Sequence, residues 1–330
     1  MKNKLLFILI SCLVVNGMVS CQKDIDFTMP DANYPIGPDT TWYASISENS
    51  GAYELKQELA LDYDLDTVSL IAGSNLNFVT TSMLNFSITA GSIVTGSGDI
   101  FFGDMIVKST ALHTIGESVL MLKQNISNSG NLLSPGGTFF VSFYNMNHEE
   151  LFIAPNNNIK VSYHSDNAYP GMKLFTEHQM DLLYSSWQQP LDSVHNNIVT
   201  FGDIHTVNVS NTGWFNCSSD SFYNNQQSKV ALRLPSNYTN ANTIAFISFN
   251  DVKAAINFEV DLSTKIFKTG LLPAGRTAII TVISKQGGYY FSTQATINTT
   301  SIATSGGYQM VNLTPVITSF SDLKNSLVEL

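Results

Sequence analysis

The chain has 330 residues, more than one ordinary domain needs, with 44% hydrophobic residues and only 13% charged ones against a globular norm of about 25%. Such a core-rich composition excludes long disorder. A formal net charge of −10, with 16 lysines and arginines and no run among them, excludes the basic footprint that a nucleic-acid binder needs to release counterions.

The first predicted element is a targeting device. Lys2 and Lys4 precede an apolar run over residues 5–15, and Gly17 and Ser20 lead up to Cys21. A charged start, a short apolar core and a small-residue exit read as an export signal over 1–20. Asn16 breaks the run well short of the roughly 20 apolar residues that a membrane span requires. Met18-Val19-Ser20-Cys21 resembles a bacterial lipobox. That resemblance implies cleavage before Cys21, lipidation of its thiol and stable anchoring through several acyl chains. Gln22-Lys23-Asp24-Ile25-Asp26 resembles the short Lys- and Asp-containing signal that sends Bacteroidetes-type lipoproteins to the outer face of the outer membrane. Residues 21–65 then read as tether and N-terminal segment, with Pro30, Pro35 and Pro38 keeping the tether extended. Cys12 leaves with the signal and Cys21 is acylated, so Cys217 has no intramolecular partner and reads as a small buried apolar residue.

Residues 53–61 are the one helical candidate; from about residue 66 the period is two. Phe139, Val141 and Phe143 alternate with Phe140, Ser142 and Tyr144, and Ile159, Val161 and Tyr163 alternate with Lys160, Ser162 and His164. Gly96-Ser97-Gly98-Asp99, Ser134-Pro135-Gly136-Gly137 and Asn156-Asn157-Asn158 supply turns between such runs. A second series follows Pro170-Gly171: Val230, Leu232 and Leu234, then Phe258, Val260 and Leu262, then a hairpin over 276–296 closed by Gly287-Gly288. The expectation is an all-β chain with little helix: tandem β-sandwich domains of Ig-like character over 66–168 and 169–330.

Residues 69–73 and 86–94, with Ile88-Thr89-Ala90-Gly91-Ser92-Ile93, look like the glycine turn and strand entry of the β-sandwich module of ankyrins and netrin receptors. Asn131-Leu132-Leu133-Ser134-Pro135-Gly136-Gly137-Thr138-Phe139 is similar to the leader and aromatic strand of that module in uncharacterised Bacteroidetes cell-surface lipoproteins. Gly213-Trp214-Phe215-Asn216-Cys217-Ser218 resembles a Gly-Trp-x-Asn-Cys-Asp stretch in their second β domain, with Ser218 where Asp is usual. The resemblance implies tandem β domains and no particular activity. Asp39-Thr40-Thr41, Asp66-Thr67-Val68 and Asp192-Ser193-Val194 resemble the O-glycosylation sequon of exported Bacteroidetes proteins and fit the same compartment.

Motifs that carry chemistry are scarce. There is no His-Glu-x-x-His, no paired cysteine spacing, no Gly-x-Ser-x-Gly elbow and no phosphate loop, so no cofactor, catalytic residue or metal ligand is assigned. Asp62, Asp64 and Asp66 alternate, which reads as an acidic strand face with Tyr63 and Leu65 packed inward; an EF-hand is rejected because Thr67 and Gly73 stand where Gly and Glu belong, and Ca²⁺ binding by the trio stays open. Trp214 reads as core. Trp42 follows the tether and reads as a cap on the first sheet. Trp187, in Tyr184-Ser185-Ser186-Trp187-Gln188-Gln189-Pro190, reads as part of a polar loop, which makes Trp187 and Tyr184 the candidate ligand-binding residues. The function expected is a non-catalytic interaction or adhesion module, anchored to the membrane by its N-terminal lipid and contacting a protein or glycan. The alternatives are a glycan-binding accessory protein of a polysaccharide uptake system and, behind it, a glycoside hydrolase with two facing carboxylates.

Overall fold

The computed structural model describes residues 40–168, 170–220, 227–300 and 307–330. The expected signal 1–20, Cys21 and the tether as far as Asp39 lie outside the described residues. Among the described residues strands make up 48% and helix 9%, arranged as several antiparallel sheets without a barrel, so the all-β, sandwich-like expectation holds.

Alternation builds the first sandwich. One sheet runs β1 (Asp64–Leu70), β5 (Gly103–Leu112), β6 (Ser134–Asn145), β13 (Gly213–Ser219), β9 (Lys173–Gln179), β10 (Ser185–Gln188), with β7 (Glu150–Ile153) joining β6 to β4 (Ile93–Val94). The facing sheet runs β11 (Asn197–Phe201), β12 (Ile204–Val209), β8 (Ile159–His164), β3 (Asn85–Ile88), β2 (Leu76–Val79). Phe139, Val141 and Phe143 point together into the core between them, as the period of two predicts, and meet Phe86, Val161, Val207 and Phe215. The rings of Phe139 and Phe215 stack at 5.2 Å. Strand β8 has the wetter face that its sequence predicts: Ile159, Val161 and Tyr163 are buried, Lys160 and His164 exposed. Strand β6 differs, because Phe140 packs on its other face against Tyr63 and Trp214, at 4.8 and 5.4 Å. This sheet is covered on both sides.

The boundary expected at 168/169 falls inside this sandwich. Strands β9 to β13 all follow it in the chain, yet β12 pairs with β8 and β13 with β6. Pro170-Gly171 is a turn on the way from one sheet to the other rather than a linker. The first sandwich ends with β13 at Ser219.

In the second sandwich, one sheet runs β17 (Ala254–Asn257), β16 (Thr243–Phe249), β21 (Thr277–Gln286), β22 (Tyr289–Asn298), β24 (Val316–Thr318). It faces β18 (Glu259–Asp261), β19 (Ile266–Lys268), β15 (Val230–Arg233), β23 (Gln309–Asn312), where the β15–β23 pair is parallel; β14 (Gln227–Ser228) and β20 (Leu272–Pro273) form a short ribbon. The predicted hairpin is β21–β22, closed by Gly287 and Gly288 at φ +55° and +84°, a backbone that a two-residue hairpin loop needs and only glycine adopts freely. Ala245, Ile247, Phe249, Phe258, Phe267 and Ile280 form the core. Trp42 caps this second core against Phe267, with ring centroids 5.1 Å apart, and not the first sheet.

Three short helices cover the outer face of β16 and β21, which explains why β16 is buried at every position. Helix α1 (Gly51–Leu59) is the candidate read at 53–61, started two residues earlier by Ser50, whose side chain accepts from Tyr53 N–H. Helices α2 (Ile115–Leu120) and α3 (Phe320–Val328) were not predicted, although Thr114 and Glu117 close a capping box and Ser319 caps α3. Leu55, Leu59, Leu120, Leu323 and Leu327 pack together on Phe246 and Ile283. The approach of α2 to α3 depends on Gly116, where a Cβ would lie 2.4 Å from the carbonyl oxygen of Leu327. Both sandwiches and the helices belong to one compact unit, Asp39–Leu330. Among the described residues no helix is long and apolar enough to cross a membrane.

Candidate ligand-binding cleft

The two sandwiches are joined by a strap, residues 121–133, that leaves the first sheet after α2 and returns into β6. Its backbone bonds to both neighbours. Asn125 N–H donates to Ala255 O at 2.7 Å, and its side-chain oxygen accepts from Ala255 N–H at 2.9 Å. On the other side, Trp187 N–H donates to Ile126 O and Asn128 N–H to Trp187 O. Gln124 spans the seam: its amide donates to Ser185 O at 2.8 Å and accepts from Asn257 N–H at 3.2 Å.

Trp187 lies under this strap. Its side chain is only 1% exposed, its indole N–H donates to Gln124 O at 2.6 Å, and it packs with Leu112, Met121, Leu133, Phe175 and Trp214. The loop reading for Trp187 is therefore corrected: it sits on β10, whose main chain bonds the strap at Ser185 and Trp187. Trp214 is core, as read.

Tyr184, the other candidate, does line a cavity, in the loop 180–184 between β9 and β10. Asp181 shapes that loop by accepting the N–H groups of Leu183 and Tyr184 on one carboxylate oxygen, at 2.8 and 2.7 Å. Opposite stand Glu259 and Leu262 of the second sandwich, and Tyr43 closes one side. Tyr43 is fixed by its backbone, which exchanges two hydrogen bonds with the Asn240 side chain at 3.0 and 2.6 Å. The cavity holds about 200 Å³. Its rim is apolar, with Met180 56% and Tyr43 44% exposed. Burial, and then the negative charges of Asp181 and Glu259, push the Tyr184 phenol well above its ordinary range. Asn257 lines the same cavity, is only 7% exposed, and has a buried side-chain nitrogen with no hydrogen-bond partner.

The other expected positions are plain. Cys217 is free and fully buried in the first core, where burial pushes its thiol up to about 12, so it is no ready nucleophile. Asp64 and Asp66 share the face of β1 that carries Val68 and Leu70, at the open rim of the sandwich, and Leu65 on the opposite face is 67% exposed. This reverses the expected inward packing of Leu65. Tyr63, just before the strand, packs on the outer face of the sheet against Phe140 and Trp214. Asp66 is occupied by Thr81, accepting its N–H and hydroxyl at 3.0 and 2.9 Å. Among the described residues no group of three or more His, Cys, Asp or Glu side chains could hold a metal. No protein-family model matches the chain, and a search of curated proteins returns no significant match.

Proposed function

We propose that this chain is an exported lipoprotein, held on the outer face of the outer membrane through Cys21, that acts as a non-catalytic interaction or adhesion module. The observation that carries the binding part is the cleft: a cavity of about 200 Å³ with an exposed apolar rim, lined by the loop 180–184 of the first sandwich and by Glu259 and Val260 on β18 of the second. Asp181 supports recognition over proton transfer, since one of its oxygens already accepts two backbone N–H groups. The anchoring part rests on the residues around Cys21 and on their resemblance to Bacteroidetes surface lipoproteins.

Two measurements test the reading. Cys21→Ser should move the protein from the membrane pellet to the soluble fraction, and unchanged detergent dependence would refute anchoring. Labelled protein on a printed panel of glycans and extracellular-matrix proteins should bind saturably and leave the bound molecule's mass unchanged. Cleavage of a retained glycan would establish the hydrolase reading instead.

A further inference from the structure

We infer that the bare half of the outer face of the first sheet is a further interaction surface, and that it takes a protein segment whose apolar side chains are flanked by lysine or arginine. This rests on the binding-module reading and not on the cleft. One half of the face is covered: Phe140, Trp214 and Trp187 pack there with Met121 and Leu133 of the strap. On β5, β7 and β4 the outward residues are Ile106, Phe152 and Val94, because Val107, Ile153 and Ile93 point into the core. Pairing sets them side by side, with Ile106 opposite Tyr144, Phe152 opposite Val94, and Val94 opposite Ile100. Phe152 is 41%, Phe102 46% and Ile100 55% exposed, so this half is open. A Cβ built at Gly91 would touch Ile100 at 3.7 Å and one at Gly96 would touch Phe152 at 3.8 Å, so both side chains rest against backbone and lose less freedom on docking.

Charge selects the partner. Over 64–112 and 134–219, in the first sandwich, eleven Asp and Glu stand against three Lys; over 227–318, in the second, three stand against seven Lys and Arg. The open half lies at the acidic end of this division, since 64–107 and 134–159 contain no Lys or Arg. Each exposed apolar residue has a carboxylate beside it: Asp99 adjoins Ile100, Asp104 follows Phe102 by two residues, and Glu150 shares the outer side of β7 with Phe152. All three acids are exposed. Lys108, on the same side of β5 as Ile106, holds its ammonium 4.2 Å from the centre of the Tyr63 ring. Three other occupants carry the wrong sign. Residues 22–39 of this chain hold four Asp against one Lys, the first sandwich of a second copy is equally acidic, and a bilayer presents phosphates. A cationic segment gains attraction at the rim while its apolar side chains meet Phe152, Phe102 and Ile100.

The test uses the full-length protein in an uncharged detergent and a labelled peptide of alternating lysine and phenylalanine. In two control peptides glutamate replaces lysine or serine replaces phenylalanine. The lysine–phenylalanine peptide should bind saturably, about tenfold or more tighter than either control. Phe152→Ser and Glu150→Lys should each weaken it about tenfold, with melting temperatures within about 2 °C of wild type, and salt raised from about 0.05 to about 0.5 M should weaken it further. Ile100→Ser, at a more exposed position, repeats the apolar arm if Phe152→Ser does not fold. Equal binding of the glutamate control overturns the cationic assignment, and binding unchanged in all the variants overturns the face. Self-association of the protein, or attachment to phosphatidylcholine vesicles, that Phe152→Ser abolishes would make a second copy or a bilayer the occupant and overturn the proposal. Failure of the peptide with binding to the glycan and matrix-protein panel intact overturns this surface alone; failure on that panel as well overturns the binding-module reading with it.

Discussion

Trp187→Ala offers the sharpest check on how the two sandwiches are joined. The indole is 1% exposed and packs among five large apolar side chains. Truncating a buried Trp to Ala costs about 3–5 kcal/mol through lost transfer energy and the cavity left behind. The Gln124 carbonyl would also lose its donor at 2.6 Å, which adds about 1–3 kcal/mol if no water replaces it. A total near 5 kcal/mol is a large part of the roughly 5–15 kcal/mol that holds a protein folded. At about 2–4 °C per kcal/mol for a large domain, the melting temperature should fall by about 10–20 °C. Trp187→Phe keeps most of the volume and loses only the N–H, so its cost should stay within about 1–3 kcal/mol. Thermal melts followed by circular dichroism, with urea midpoints beside them, measure both. A melting temperature within about 2 °C of wild type for Trp187→Ala would mean that the ring is not packed under the strap, and the seam described above would be wrong.

His205 is fully buried, its Nε2–H facing Gly136 O at 3.1 Å and its Nδ1 facing the Thr200 hydroxyl at 2.8 Å; burial lowers its pKa below 6.5. The unfolded chain then binds the extra proton first, so this contribution is complete above pH 6.5 and is lost as pH falls from there through the folded value, by at most about 1.4 kcal/mol per pH unit. Urea midpoints between pH 5 and 7.5 should show that slope and His205→Gln should flatten it, whereas an equally steep curve in the variant would place the proton elsewhere. Cys217 should resist a polar disulfide reagent in the native state and react fully in denaturant, and fast native labelling would contradict its burial. Gly116→Ala should destabilise by about 1–3 kcal/mol because its new methyl group meets the Leu327 carbonyl, and a neutral effect would show that α2 and α3 are further apart than described.

Legibility in the sequence followed the range of the interactions. The alternation of Phe139, Val141 and Phe143 and the Gly287-Gly288 hairpin are local patterns, and both appear where they were read. The domain boundary is not local, since it depends on β12 and β13 returning to β8 and β6. Ser185, Ser186, Gln188 and Gln189 make the surroundings of Trp187 polar and so suggest a loop, whereas the residue lies buried on β10. The seam is made by the main chain, with Ser185 O accepting from Gln124, 61 residues away, while the Ser186 hydroxyl is buried without a partner, so the polar side chains there do not mark exposure to water. The cleft is drawn from residues 43, 181, 184, 257 and 259, so only Tyr184 could be singled out beforehand, and the unpartnered Asn257 amide is visible only once the neighbours are placed. The capping box Thr114-Ile115-Gly116-Glu117 was a readable signal for α2 that the surrounding strand pattern overshadowed.

The long reach of the first described residues governs the order in which this molecule can assemble. Tyr43 pairs with Asn240, Ala52 N–H with Ala241 O, and Glu54 and Glu58 with Lys285. Helix α2, made early, waits for α3, about 200 residues further along the sequence. Neither early helix can complete the burial of its leucines until residues 320–330 have emerged, so the entropy of closing loops of about 200 residues or more must be met before these contacts form. Folding of the helical layer therefore waits until residues 320–330 have been made. A chain that stops short of residue 320 leaves Leu120, Phe246 and Ile283 without their cover, and so betrays itself by sticky surface.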